Sequence, residues 1–265
     1  SGSSGDRVHE RESMAMWEKM RLRDVFGDVI NVKDLVERAD VFASIFDRWL
    51  IEQLAKHFGG KGPVFHYYKL HNLFDPKKSR DLEPPSCNRV GEYADLIGKA
   101  LAPFISLPPD ERGRAVYHAF YAVYETAWIN LGLPPSLAET RIPTHTLFDH
   151  AYSTASVLNI LKPNGVVEGY LVRVDIPGIQ RVVNAARKAG DFWAGSWLVS
   201  MAMWLTLWPL VWEHGPDIVI LPTLRLNPLY YATVLNKLGK RVDVSGIRGI
   251  LSDFFFKTIF KLGVP

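Results

Sequence analysis

Residues 169–228 read GYLVRVDIPGIQRVVNAARKAGDFWAGSWLVSMAMWLTLWPLVWEHGPDIVILPTLRLNP. The order of signals in this stretch decides the expected fold. An apolar run ends in Asp175, and a turn at Pro177-Gly178 follows. Two helical runs come next, the second very apolar, and then GPDIVILP, a short apolar run that reads as a strand. The pattern predicts β-turn-α-α-β with a carboxylate at the end of the first strand. Side chains at strand ends point into the crevice where α/β sheets bind ligands, so Asp175 is the first candidate site residue.

The apolar helix needs its own argument. Residues 192–212 hold 21 positions without a charge, with Trp193 and Trp212 near the ends, a composition shared by membrane spans and buried helices. The small residues Gly195, Ser196, Ser200 and Thr206 occur in both settings. The residues just past the run favour burial: a turn at Gly215-Pro216 leads at once into the strand-like segment, a tight connection natural to a packed α/β unit. A single-span membrane protein is the lesser alternative.

Upstream the chain reads as helical. Val32, Leu35, Val36, Ala39, Phe42, Ala43 and Phe46 recur at spacings of three and four, and Asn31 is placed to cap that helix. Gly59-Gly60 and Gly62-Pro63 stop the run, and the Pro- and charge-rich stretch 71–88 reads as surface loop. Helices are expected over 91–105 and 110–131, and another from about His145 to Leu161. Residues 241–244 could form a further short strand, and 250–262 a final helix. The character changes from helical to mixed near Lys162-Pro163-Asn164-Gly165. The expected organisation is a linker over 1–13, a helical domain over 14–163 and a mixed domain over 164–265.

With 265 residues, 48% of them apolar, the chain can bury one sizeable core or two modest ones. Lys and Arg total 31 against 28 acidic residues, and a net charge of +3 does not by itself specify a nucleic-acid partner. Cys87 is the single cysteine, which excludes a disulfide framework and a cysteine-based zinc site. No signal peptide is visible, and a cytoplasmic location is expected.

Several chemistries can be weighed from motifs. The eight histidines invite a metal reading, but no His-Asp doublet exists. The nearest approach is Asp149-His150 with His145 upstream, the set that a metal-dependent nuclease or phosphohydrolase would use; capping at a helix start explains the same residues. Neither G-x-S-x-G nor G-x-x-x-x-G-K-[ST] occurs. Gly195-Ser196, at the start of the apolar helix, could meet a phosphate or simply allow close packing. An Asp ending a palm strand can ligate the Mg²⁺ that bridges nucleotide phosphates, but the second carboxylate of a Gly-Gly-Asp-Asp turn is absent. Arg181, Arg187, Lys188 and Arg225 could form a basic face toward an RNA backbone or a partner; solvated surface is the plainer account.

Five pieces, in order, carry a family resemblance: Ala39-Asp40-Val41-Phe42-Ala43-Ser44 with Asp47-Arg48; residues 140–150, TRIPTHTLFDH; Val174-Asp175-Ile176-Pro177-Gly178-Ile179-Gln180; Ala186-Arg187-Lys188 through Trp193-Ala194-Gly195-Ser196; and Gly215-Pro216-Asp217 through Arg225-Leu226-Asn227-Pro228. Together they resemble the large subunit of type III CRISPR–Cas effector complexes, in its Cmr-type (III-B) form. The resemblance implies an α+β fold: a helical HD-like N-terminal domain followed by a ferredoxin-like, nucleotidyl-cyclase-like palm. It implies a ribonucleoprotein subunit of antiviral defence, a scaffold near guide and target RNA, with other type III effector subunits, crRNA and target RNA as partners. ATP and Mg²⁺ are the implied cofactors, the nucleotide lying between two palms with Asp175 and Ser196 contributing half of its site. Without Gly-Gly-Asp-Asp the chain alone would not make cyclic oligoadenylate, and without His-Asp it would lack DNase activity. Leu226 stands where the family often has Gly.

Overall fold

The computed structural model describes residues 4–27, 33–57, 59, 69–72, 74–81, 85–138 and 145–259. Asn31, expected to cap a helix, and residues 140–144 of the family-like segment lie outside them. The described chain is mainly helical. Helix α1 spans Ser4–Lys19, α2 Arg23–Phe26, α3 Lys33–Ala43 and α4 Ile45–His57. Strands β1 (Lys69–His71) and β2 (Ser79–Asp81) pair antiparallel, with Leu70 opposite Arg80. Helices α5 (Cys87–Leu101), α6 (Pro109–Asn130) and α7 (Leu147–Leu158) come next. After an irregular stretch come α8 (Ile179–Asn184), α9 (Ala189–His214), α10 (Pro228–Leu238) and α11 (Ser245–Asp253).

Local chemistry accounts for these boundaries. Ser86 caps α5, its hydroxyl accepting from the Arg89 N–H. Pro109 opens α6, where a missing N–H costs nothing, and Asp110 and Glu111 lie against the positive end of the helix. Thr146 and Asp149 form a reciprocal capping box on α7. Asn227 caps α10 by accepting from the Leu229 and Tyr230 N–H groups, with Pro228 next in line.

Helix α6 is the axis of the core. Its buried face is built from small residues, Ala115, Val116, Ala119, Ala122, Val123 and Ala127, so neighbouring helices can approach it closely. Helices α2, α5, α9, α10 and α11 all contact it. Tyr93, Ile97 and Leu101 of α5 are buried with Trp204 and Val211 of α9, Tyr230 and Val234 of α10, and Ile247 and Leu251 of α11. Side chains from both sides of the expected 163/164 boundary therefore share one core. Helix α7 lies beside it and packs on α3.

The strands expected in 164–265 are not formed among the described residues. Residues 169–176 form no regular secondary structure and stand unpaired and largely in solvent, with Tyr170 95% and Leu171 88% exposed. The nearest ladder contact is a single antiparallel bridge from Leu161 to Val167. A strand exists only with a partner to take its backbone groups, and none lies beside this segment among the described residues. Residues Pro216–Ile218 form a 3-10 turn because Asp217 is drawn inward. Its carboxylate accepts from the Tyr117 hydroxyl at 2.6 Å and from Asn159, and its carbonyl accepts from the Ser156 hydroxyl at 2.8 Å. Residues 241–244 are a turn leading into α11.

The apolar helix differs from its expectation too. By length and composition α9 could cross a membrane, but its two halves have different surroundings. The C-terminal half is docked: Trp204 and Val211 are buried, Trp212 stacks on His118 at 4.7 Å, and Glu213 pairs with Arg114 at 2.8 Å. The N-terminal half projects, with Phe192, Trp193 and Leu198 exposed. The burial expected for the whole run holds only at its base, because the sheet meant to cover the remainder is not formed.

Candidate functional site

The projecting arm carries the first candidate pair. Asp175 lies near the end of the irregular stretch, two residues before Pro177, and Gly178, at φ +79°, makes the turn that starts α8. Helix α8 packs on α9, whose second turn bears Ser196. Asp175 and Ser196 are both exposed, and their side chains make no hydrogen bond or ion pair among the described residues. The segments that carry them also bear exposed apolar side chains, Tyr170, Leu171 and Val172 before Asp175 and Trp193 and Leu198 beside Ser196 in α9. Two free polar groups set among bare apolar side chains have the composition of one wall of a site.

The basic residues divide. Arg181 is on α8, whereas Arg187 and Lys188 lie in the connection to α9; all three are exposed. Arg225 corrects the sequence reading outright. Its side chain is only 20% exposed, and Nε and Nη2 both bond the Glu125 carboxylate of α6, Nη2 at 2.6 Å. Nη1 bonds Asp149 of α7, and the guanidinium lies 5.2 Å above the Tyr152 ring. Burial disfavours the charged guanidinium, but Glu125 and Asp149 outweigh it and hold Arg225 above its ordinary range. An Arg taken up by two carboxylates does not face a phosphate backbone. It ties the loop before α10 to two helices of the core. Leu226 beside it sits at φ +55°, a left-handed conformation that favours glycine.

The His145, Asp149 and His150 set is partly brought together. The two imidazole rings lie 6.2 Å apart, and His150 Nε2 is 2.7 Å from Asp40 Oδ1 on α3. Asp149 is committed elsewhere: one oxygen accepts from Arg225, and the other from the Thr146 N–H and hydroxyl, each at 2.7 Å. Burial alone would raise its carboxyl, but those bonds hold it below the ordinary carboxylate range. Among the described residues no group of three His, Cys, Asp or Glu side chains is arranged to hold a metal ion.

The sequence offers His118 as a further candidate for the metal reading, but the structure makes it a core group, and Glu125 carried no motif signal at all. His118 is fully buried on α6, with Nδ1 3.0 Å from the Tyr230 hydroxyl and Nε2 3.2 Å from the Trp212 carbonyl. Burial lowers its pKa from 6.5 to about 4, against the opposing pull of the Trp212 carbonyl. The signal available was position: His118 and Glu125 are one heptad apart within the run of small residues that forms the buried face of α6.

Comparison with known proteins bears on this arm and its base. The family model for "CRISPR-associated protein Cmr2, N-terminal" matches residues 171–255. The "CRISPR system CMR subunit Cmr2" of Saccharolobus solfataricus is 31% identical over 265 residues, covering 96% of this chain and 24% of that protein. The "CRISPR system Cmr subunit Cmr2" of Pyrococcus furiosus is 33% identical over 111 residues, covering 42% of this chain and 12% of that protein. No solved structure matches the chain. It spans about a quarter of the first relative's length, with near-complete coverage of its own sequence. The chain thus belongs to the Cmr2 family, the large subunits of type III-B CRISPR systems, and corresponds to their N-terminal portion.

Proposed function

We propose that this chain serves as a scaffold within a type III-B effector complex, near the guide and target RNA, and supplies one wall of an ATP site through Asp175 and Ser196. The observation that carries this reading is the arm. It presents an unpaired carboxylate and hydroxyl among exposed aromatic and aliphatic side chains, a surface suited to an opposing one. On this reading the segment 169–176 and the bare face of α9 are components of a ferredoxin-like palm whose sheet is completed by other polypeptide. Asp175 would give an oxygen ligand to Mg²⁺ and Ser196 a hydrogen bond to a phosphate; the ion would supply charge neutralisation for the phosphates. Alone the chain would not synthesise cyclic oligoadenylate, for which a second carboxylate pair is needed, and it would lack DNase activity. The location is cytoplasmic.

Native purification from source cells tests the reading. Co-elution of other effector subunits with repeat-derived guide RNA is expected, and a solitary chain without RNA would sink it. In the purified assembly, Asp175→Ala should weaken binding of fluorescent ATP by about tenfold, the loss of a charge-assisted contact. Unchanged affinity would remove Asp175 from the site.

A further inference from the structure

A groove of about 550 Å³ lies between the end of α10 and one face of α11. Ser245, Arg248, Gly249 and Ser252 line it at i, i+3, i+4 and i+7, while Ile247, Ile250 and Leu251 turn into the core. Asp243 closes one end, with its oxygens accepting from the Ser245 N–H at 2.8 Å and hydroxyl at 2.9 Å.

Three features of this face have no explanation among the described residues. The exposed Arg248 side chain makes no ion pair or hydrogen bond among the described residues, whereas nearby Arg241 is held by Glu111 at 2.8 Å. The Ser252 hydroxyl likewise makes no hydrogen bond among the described residues, although Thr126, Ser153, Thr206 and Thr233 each donate to the carbonyl four residues back. Gly249 sits inside the helix, where Gly is destabilising relative to Ala, yet a Cβ there would meet nothing within 4 Å. Gly246 shows what packing demand looks like, since its Cβ would lie 3.1 Å from the Ala100 backbone. The gap at Gly249 opens outward.

We infer that this face of α11 binds the ribose-phosphate backbone of a single-stranded RNA. Arg248 and the Ser252 hydroxyl donate to a phosphate, the usual way such side chains position nucleic acid. Gly249 lets the strand lie against the helix. The lone pairs that Asp243 does not use on Ser245 accept from a ribose 2′-hydroxyl, the group that distinguishes RNA from DNA. The carboxylate would repel a bare phosphate, which is why the fit is to a sugar and phosphate together. This inference rests on the RNA partnership proposed above.

The test is fluorescence anisotropy of the full chain with a labelled single-stranded oligoribonucleotide and its DNA counterpart, across a salt series. Arg248→Gln should weaken RNA binding roughly tenfold and lower the slope of log K against log salt by about 0.7, one phosphate contact on a single strand. Gly249→Leu should weaken it similarly while keeping or raising the melting temperature, since Leu is the better helix former; misfolding then cannot account for the loss. Asp243→Asn should reduce the preference for RNA over DNA. Wild-type binding that none of the three changes overturns the groove as the site and leaves the wider RNA partnership standing. Absence of RNA binding by the wild-type chain overturns the groove as well, whereas recovery of guide RNA in the native purification is read independently of it.

Discussion

Two buried side chains set the energetics at the scale of single residues. Glu125 is 9% exposed, and its charge is tolerable because Arg225 covers both oxygens. Replacing Arg225 by Gln strands that carboxylate, and removing one partner of a buried pair costs about 3 kcal/mol. Chemical denaturation should show that loss with an unchanged m-value; a change below about 1 kcal/mol would mean the pair is effectively solvated. His118 makes a pH prediction with a definite sign. Its folded pKa, about 4, lies below the ordinary 6.5 because the ring is buried. The unfolded chain therefore takes up a proton before the folded chain does, so stability falls as pH drops from about 6.5 toward 4, and this group adds no pH dependence above that window. Melting temperatures at pH 7.5, 6 and 5 should decline in that order, and His118→Gln should flatten the decline. Neither residue stood out in the sequence as a polar core group. Arg225 looked like a surface cation because its acid partners are about 75 and 100 positions away, and no local pattern reports a contact at that range.

At the scale of elements, what could be read depended on how locally each element is specified. Helices expected over 91–105 and 110–131 are observed at Cys87–Leu101 and Pro109–Asn130, since caps, proline and apolar spacing all lie within the segment. The final helix begins earlier than expected, at Ser245, because Asp243 satisfies the Ser245 N–H. The strands failed for the opposite reason: a strand's stability lies in its neighbour, and an apolar run alone cannot show one present. Helix α9 turns that contrast into an experiment. Trp204 is buried and donates to the Thr233 hydroxyl at 2.8 Å, so Trp204→Ala should cost about 3–5 kcal/mol. Leu198, on the bare half, should tolerate Ser within about 0.5 kcal/mol. Equal costs at the two positions would show that the arm is covered in solution.

Across the whole molecule, the shared core overrides the compositional boundary. The change of character near Lys162 is real in the sequence, but α9, α10 and α11 return to pack on α6. A fragment of residues 14–163 should therefore fail to fold cooperatively, because it leaves Ala119, Ala122 and Val123 without the side chains of Trp204, Tyr230, Val234 and Ile247. Circular dichroism with a thermal scan decides it: a sharp two-state transition in the fragment would establish an independent helical domain. The candidate site obeys the same rule of scale. Its residues were legible one by one as Asp175 and Ser196, but their openness was not, because exposure is a property of the assembled surface.

The anchoring of α9 at one end has a mechanical consequence. From Trp204, the docked residue nearest the tip, to Trp193 the helix runs about 16 Å. Such a rod is a cantilever, and a tilt of about 5° at its root would sweep the tip through roughly 1.4 Å. The bearings at and behind that root are Thr233, His118, Arg114 and the Asp217 turn, all on or against the core. Small strains there arrive at the tip enlarged, at the distance over which a hydrogen bond is made or lost.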